Sequence, residues 1–144
     1  MSKKKKAVKA VEAVSTYKLG ARSESNLVGV HPDLVAVVRR AIQITEVDFT
    51  VIEGLRTKER QRELVRTGKS QTMNSRHLNG HAVDIAPWVN GTVSWDWKYF
   101  YIIEKAMKQA AEELQISVEW GGDWRSFKDG PHWQLPWGEY PGRT

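Results

Sequence analysis

The chain of 144 residues contains no cysteine. Disulfide scaffolds, thiolate zinc sites, iron–sulfur clusters and a cysteine nucleophile are therefore excluded. No apolar run approaches the roughly 20 residues that a membrane-spanning helix needs. Histidine is scarce, so a metal site would have to combine carboxylates with some of only four histidines, which are His31, His77, His81 and His132. With 40% hydrophobic and 27% charged residues, the composition is ordinary for one globular domain.

The formal net charge of +5 is concentrated at the N-terminus. Residues 1–25 hold the whole basic excess, and the rest of the chain is neutral. We therefore predict a basic, flexible N-terminal arm over residues 1–25, followed by a single domain over residues 26–144. The arm is suited to contact with an anionic envelope. A lysine run without interleaved aromatics does not predict specific nucleic-acid binding. Lys9 and Glu12 interrupt its apolar stretch, so no signal peptide is predicted.

Hydrophobic spacing predicts a mixture of helices and strands around one core. One predicted helix begins at Pro32, and two further helices cover Lys58–Thr67 and Trp97–Leu114. The predicted strands are Phe49–Glu53, His81–Ile85 (ended by Pro87), Ile116–Trp120 and a short segment holding His132 and Leu135. This order favours the α+β class, in which helices pack on one face of a small, largely antiparallel sheet.

Two polar clusters carry the candidate chemistry. They are S-R-H-L-N-G-H-A-V-D, which ends at Asp84, and D-G-P-H, which ends at His132. Side chains alternate along a strand, so Asp84 should face away from the core. Gly80 allows the backbone to turn, which would bring His77 to Asp84. His132, on another strand, would supply a third ligand.

A His–Asp–His set with an open fourth position suits catalytic zinc, which lowers the pKa of bound water to about 7. Asp129, three residues before His132, is the candidate for moving a proton to a leaving amine. Spacing alone leaves other interpretations open. Asp84 could be a buried acid bound to backbone donors, and Asp129 could belong only to a turn. His81 could replace Asp84 as a ligand, although strand alternation disfavours it.

The motif S-R-H-L-N-G-H-A-V-D-I-A-P, followed by D-G-P-H-W, resembles the S-x-H-x-x-G-x-A-x-D…[D/E]-x-x-H pattern of zinc D-Ala-D-Ala carboxypeptidases and their phage relatives. The segments V-H-P-D-L-V-A-V-V-R-R-A and D-F-T-V-I-E-G-L-R-T resemble the L-alanyl-D-glutamate peptidase endolysins of tailed phages in particular. The resemblance runs from about Val28 to Leu135. It implies a fold of the D-Ala-D-Ala carboxypeptidase and hedgehog type, with the zinc site at the sheet.

The resemblance also implies roles for individual residues. His77, Asp84 and His132 would bind Zn²⁺, and Asp129 would be the general base. Arg56 would steady the substrate or the developing oxyanion, because a planar guanidinium suits both tasks. The structural alternative for Arg56 is an ion pair with Asp33 or Glu53.

Three further residues are candidate substrate contacts. Ser75 precedes the first ligand and would organise its loop or touch substrate, with no role as a nucleophile. Trp124 and Trp133 flank the last motif and would line an aromatic wall. The structural alternative for tryptophans is core packing, which we expect for Trp97 and Trp120.

The implied function is that of a zinc-dependent endopeptidase that cleaves peptidoglycan stem peptides at the L-Ala–D-Glu bond, as a phage endolysin for host lysis. The alternatives are a zinc D-Ala-D-Ala carboxypeptidase and a non-catalytic, zinc-containing cell-wall-binding protein on the same fold. We expect a monomer that stays in the host cytoplasm until a holin opens the membrane. Gly121–Asp129 is short and poor in acidic residues, so no calcium switch is expected.

Overall fold

The computed structural model describes residues 15–142, and within them the chain forms one antiparallel sheet and four α-helices. The helices are α1 (Ala21–Leu27), α2 (Pro32–Ile44), α3 (Lys58–Arg66) and α4 (Trp97–Leu114). The strands are β1 (Phe49–Glu53), β2 (Ala82–Val89), β3 (Thr92–Val93), β4 (Glu119–Trp120) and β5 (His132–Gln134). The order across the sheet is β1-β2-β5-β4, and β3 pairs with the end of β2. The predicted α+β class is confirmed.

The core lies between the sheet and the helices α2 and α4. Asp96 caps α4 by accepting a hydrogen bond from the backbone N–H of Lys98, and the helix ends at Leu114 as its apolar spacing predicts. The buried residues of α4 recur at helical spacing and meet those of α2 and the inward-facing residues of the sheet, among them Val83, Ile85 and Trp133. No helix within residues 15–142 is long and apolar enough to cross a membrane.

Helix α1 covers the free edge of strand β1 and makes residues before Leu27 part of the domain. The Ser23 hydroxyl accepts a hydrogen bond of 2.9 Å from the backbone N–H of Val51. The side-chain amide of Asn26 donates a hydrogen bond of 2.8 Å to the backbone carbonyl of Val51. An unpaired strand edge leaves backbone groups without partners, and α1 supplies these partners.

The predicted start of the folded body near residue 26 is therefore too late. Ser15 already donates a hydrogen bond to the Ile42 carbonyl at the end of α2. The predicted boundary was placed where the excess of basic residues ends. In the structure the domain begins earlier, because backbone groups of β1 find their partners in α1. The remainder of the predicted arm, residues 1–14, lies outside the described residues.

Strand β2 continues through Pro87, which was predicted to end it. Ile85 donates its N–H to the Pro131 carbonyl on one side, and Trp88 donates to the Asp48 carbonyl on the other. Alternate N–H groups point to opposite sides of a strand. Proline has no backbone N–H group. An N–H group at position 87 would point past the start of β5, so its absence removes no hydrogen bond between the strands. The predicted strand Ile116–Trp120 is also shorter in the structure, where β4 covers Glu119–Trp120.

Replacing Ser23 by alanine should destabilise the domain by about 1–3 kcal/mol, because the buried N–H of Val51 would lose its acceptor. Urea unfolding would measure this difference. The matched control is Ser25→Ala, which changes an exposed serine of the same helix. Equal stability of the two variants would show that the Ser23 hydrogen bond contributes nothing to stability at the sheet edge.

Candidate metal centre and its cleft

Two metal-ligand candidates are brought together by the pairing of β2 with β5. Asp84 and His132 are direct partners in this antiparallel register. The neighbouring pair is Val83 with Trp133, whose side chains point to the opposite face and into the core. One strand pair therefore builds the core with one set of side chains and the candidate site with the other.

His77 reaches the same point from a short 3₁₀ helix, Arg76–Asn79, which precedes β2. The Ser75 hydroxyl caps this helix by accepting a hydrogen bond from the backbone N–H of His77. Gly80 then turns the chain with a positive φ of 76°. A Cβ atom there would lie 2.3 Å from the Gly29 carbonyl oxygen, so both the backbone conformation and the available space require glycine.

The three side chains present their ligand atoms to one another at short range. Oδ1 of Asp84 lies 3.3 Å from Nε2 of His77 and 3.3 Å from Nδ1 of His132. All three ligand atoms lie within 4.8 Å of one another. His77 is 2% exposed, so bulk water does not separate these groups. This convergence agrees with the predicted set of ligands.

The outer nitrogens of both imidazoles are already committed as donors. Nδ1 of His77 lies 2.8 Å from the Gly54 carbonyl oxygen, which can only accept. Nε2 of His132 lies 2.7 Å from Oε1 of Gln134. In each neutral ring the inner nitrogen therefore carries a lone pair, and both lone pairs face the Asp84 carboxylate. Three acceptors facing one another need a cation between them, so the residues fit a bound metal ion.

The shifted pKa values of Asp84 and His132 also indicate that a positive charge between them is favourable. Burial opposes ionisation of Asp84, but when an imidazole proton lies between a ring and the carboxylate, His132 and His77 outweigh burial and hold the pKa of Asp84 well below its usual range. Burial also opposes protonation of His132, and here the hydrogen bond and charge of Asp84 prevail and raise the pKa of His132. Without a metal, a proton between Asp84 and His132 is therefore favoured more than it is on a free imidazole.

Arg56 lies beside the candidate centre and is held by two partners. Its guanidinium binds both carboxylate oxygens of Glu53 at 2.8 Å, which is one of the alternatives open from sequence. It also donates to Oε1 of Gln61 at 2.8 Å. Nη2 of Arg56 lies 3.7 Å from Oδ2 of Asp84. The ion pair with Glu53 therefore fixes a guanidinium at the edge of the site.

Asp129 lines the same cleft and has an unusual environment for a carboxyl group. Burial raises the pKa of Asp129, and the nearby charge of Asp84 raises it further. The charges of His132, His77 and Arg56 offset part of this increase. Within residues 15–142, no hydrogen bond or ion pair occupies the Asp129 side chain. A half-buried carboxylate with a raised pKa is suited to accept and release a proton.

The ligand set forms the floor of a cleft of about 540 Å³. Residues 68–72 and 74–75 form one wall, so Ser75 lies at the cleft as predicted in addition to capping the 3₁₀ helix. Trp124 forms part of another wall, with its ring centroid 5.1 Å from that of His132. Both residues are therefore placed where a substrate contact is possible.

Trp133 is not at the cleft, and its prediction as a substrate contact is wrong. It is 1% exposed and stacks on Trp120, with ring centroids 5.7 Å apart. The physical reason is strand alternation, which turns Trp133 to the core when His132 faces the site. Trp97 was expected in the core, but it is 37% exposed, so this prediction is also wrong.

Phe127, Trp137 and Gln134 are among the cleft residues that sequence reasoning missed. Phe127 is 71% exposed with a positive φ of 53°, a conformation uncommon outside glycine. Trp137 also lines the cleft, and Arg76 lies against its ring, 4.0 Å from the centroid. Gln134 binds His132 and lies within the cleft lining. For Gln134 a signal was available, because it follows His132 by two residues and so shares its face of the strand.

His81 lies on the other side of the 3₁₀ helix and is not in the ligand group. Its ring meets His31 at 5.3 Å and Tyr140 at 6.3 Å between centroids. Burial lowers the pKa of His81, and the charges of Arg76 and His31 lower it further. The alternative in which His81 replaces Asp84 is therefore wrong.

The stability of the metal-free and metal-loaded proteins should respond to pH in opposite directions. A folded-state pKa raised above the unfolded value stabilises the fold below that value, and this contribution disappears as the pH rises through the folded pKa. The raised pKa of His132 should therefore make the metal-free protein less stable on the alkaline side. Metal binding requires neutral histidine and should strengthen over the same range.

Thermal unfolding between pH 5 and 9, with and without Zn²⁺ as the test ion, would measure this. The difference in Tm between the two forms should grow with pH. The control is Asp84→Asn, which removes the carboxylate that raises the pKa of His132. A difference in Tm that is constant across the range in the unmodified protein would contradict the prediction.

Comparisons with known proteins agree on one family. A family model described as phage L-alanyl-D-glutamate peptidase matches residues 15–134. The chain is 36% identical over 131 residues to the L-alanyl-D-glutamate peptidase of Escherichia phage T5, covering 88% of this chain and 95% of that protein. It is 31% identical over 103 residues to the peptidoglycan L-alanyl-D-glutamate endopeptidase CwlK of Bacillus subtilis, covering 62% of this chain and 61% of that protein.

A solved structure gives the same result. The crystal structure of the Serratia marcescens L-Ala D-Glu endopeptidase ChiX superposes with a TM-score of 0.82 at 56% sequence identity. The match covers 85% of this chain and 92% of that chain. The chain belongs to the phage L-alanyl-D-glutamate peptidase family.

Proposed function

We propose that this protein is a zinc-dependent endopeptidase that hydrolyses the L-Ala–D-Glu bond of peptidoglycan stem peptides, as a phage endolysin. The observation that carries the proposal is one cleft holding both the His77, Asp84 and His132 ligand atoms and the free carboxylate of Asp129. Family membership, with relatives named for this bond, supports the substrate.

The donor set supports zinc as the metal. Two imidazole nitrogens and one carboxylate oxygen match three-ligand catalytic zinc sites, which leave a coordination position for water or substrate. The scarcity of further carboxylates at this point disfavours calcium, which takes six to eight oxygen ligands. When bound, zinc would polarise the scissile carbonyl and lower the pKa of a water molecule.

Asp129 would move the proton in this reaction. Its carboxylate would take a proton from the attacking water and deliver it to the departing amine nitrogen of D-Glu, which completes hydrolysis. A pKa raised by burial suits this role, since the group must both accept and release a proton near neutral pH. Its position in the segment that leads into β5 keeps it close to His132, whose backbone N–H donates to the Asp129 carbonyl.

Arg56 would stabilise negative charge that develops on the substrate. Glu53 and Gln61 fix its guanidinium in place, so little ordering is required when substrate binds. Ser75 and Trp124 would contact the peptide on the two walls of the cleft. An aromatic wall suits a glycopeptide with apolar alanine side chains.

The cellular part of the proposal rests on the phage relatives of this chain, among them the peptidase of Escherichia phage T5. The enzyme would accumulate in the host cytoplasm as a monomer and reach the wall after a holin opens the membrane. The basic residues of the N-terminal segment would promote contact with an anionic envelope.

Removal of the metal should abolish peptide cleavage, and Zn²⁺ should restore it. The assay is mass spectrometry of soluble muropeptides after treatment with chelator, followed by addition of excess zinc. A new peptide with N-terminal D-Glu is expected. Loss of a terminal D-Ala alone would identify a carboxypeptidase instead, and full turnover in excess chelator would exclude the metal mechanism.

Asp129→Asn should lower kcat by about 10²–10⁴, because it removes the group that transfers the proton. Zinc content should stay at the level of the unmodified protein. Stability above the Asp129 pKa should not fall, since a raised folded-state pKa means that the ionised carboxylate is unfavourable in the fold.

The pH profile of the unmodified enzyme provides the companion measurement. The general base must be ionised, so kcat/KM should fall as the pH drops through the raised pKa of Asp129. Near-normal turnover by Asp129→Asn would remove Asp129 from the mechanism. Absence of cleavage by both forms would instead favour the alternative of a binding protein.

A further inference from the structure

A hydrogen-bonded chain extends from the candidate metal ligand His132 to the outer strand of the sheet. Nε2 of His132 lies 2.7 Å from Oε1 of Gln134, and Nε2 of Gln134 lies 3.0 Å from Oε1 of Glu119. Gln134 is buried, whereas Glu119 is exposed and outside the cleft lining. Glu119 and Gln134 are direct partners in the β4–β5 register, so the sheet itself sets this contact.

The direction of each hydrogen bond in this chain is fixed by chemistry. An ionised carboxylate can only accept, so the Gln134 amide must turn its NH₂ group toward Glu119. Its carbonyl oxygen then faces His132 and can only accept from Nε2–H. The proton of the neutral ring is thus held on Nε2, and the lone pair of Nδ1 points to Asp84 at 3.3 Å.

The reversed amide would have the opposite effect on the ligand. Its NH₂ group would donate to Nε2 of His132, which would move the ring proton to Nδ1 and fill the position that a metal ion needs. Glu119 disfavours this arrangement, because the amide oxygen would then face a carboxylate oxygen. An exposed side chain that does not touch the site is therefore placed to influence which nitrogen of His132 can bind a metal.

The other histidine has a different kind of partner. Nδ1 of His77 donates to the backbone carbonyl of Gly54, which cannot rotate as a side-chain amide can. A Cβ at Gly54 would lie 2.0 Å from the Asn26 carbonyl oxygen, so the surrounding chain holds that segment in place. Of the two imidazoles, only His132 depends on side chains for its tautomer.

We propose that Gln134 and Glu119 are positioning residues that hold His132 in the Nε2–H tautomer and thereby set the affinity for the metal. The proposal rests on the proposed function only in taking Zn²⁺ as the bound ion. Outer partners of ligating histidines typically contribute 10–100-fold to metal affinity. Glu119 would act through Gln134, so its contribution should be the smaller of the two.

The experiment measures Zn²⁺ affinity of the full chain by competition with a chromophoric chelator. Gln134→Leu should weaken binding by about 10–100-fold. Glu119→Leu should give an intermediate loss. The Gln134→Glu/Glu119→Gln double variant exchanges the two groups and keeps both hydrogen bonds, so it should bind at least as tightly as the unmodified protein. Ser117→Ala is the matched control, because it removes another exposed side-chain hydrogen bond, to Glu139, near the same strand.

A second readout separates positioning from simple loss of structure. Nitrogen-15 NMR of the metal-free protein, at a pH where His132 is neutral, should show one tautomer protonated at Nε2. Glu119→Leu should shift this signal toward a mixture of tautomers, with the fold intact because Glu119 is exposed.

Unchanged zinc affinity and an unchanged tautomer in Glu119→Leu would overturn the proposal, even if Gln134→Leu failed to fold. A double variant as weak as Gln134→Leu would also overturn it. Failure to cleave L-Ala–D-Glu would contradict the proposed function and leave this result standing, because neither measurement depends on peptidase activity.

Discussion

The structure depends on the convergence of three electron-pair donors at one buried point. In their neutral tautomers, His77 and His132 both direct lone pairs at the carboxylate of Asp84, with separations of 3.3 Å. Acceptors that face one another out of water are unfavourable unless a proton or a metal ion lies between them. The three residues therefore fit a bound cation, and the hydrogen bonds from the outer nitrogens to Gly54 and Gln134 hold both rings in place.

Strand alternation ties this site to the stability of the domain. The β2–β5 pair places Asp84 and His132 on one face, and Val83 and Trp133 on the face that contacts α2 and α4. Packing of the core thus fixes the register of the ligands. A shift of one residue in that register would bury the candidate ligands and expose the core residues, so core packing also opposes any rearrangement of the candidate ligands.

The segment after β5 holds the short helix that carries His77, the third candidate ligand, through its contacts with Arg76. Arg76, which immediately precedes His77, donates hydrogen bonds to the carbonyls of Leu135, Pro136 and Tyr140. Tyr140 in turn donates to Asp33 at the start of α2, and this hydrogen bond raises the pKa of Tyr140 to about 12. The segment after β5 therefore connects helix α2 to the short helix that carries His77, and it also brings Trp137 to the cleft.

The sequence alone determined the α+β class, helices α2 to α4 and strand β1, because each has a local signal, and the family resemblance added the candidate ligand group. Periodicity defined β1 and α4 at their observed ends, and the spacing of His77, Gly80 and Asp84 already implied a turn that returns to the strand. Tertiary structure decided what depends on partners distant in the chain. Edge hydrogen bonds brought α1 into the domain, register sent Trp133 to the core, and the β4–β5 pairing placed Glu119 behind His132. Such contacts carry no local pattern, because they form only when strands and loops from separate parts of the chain meet.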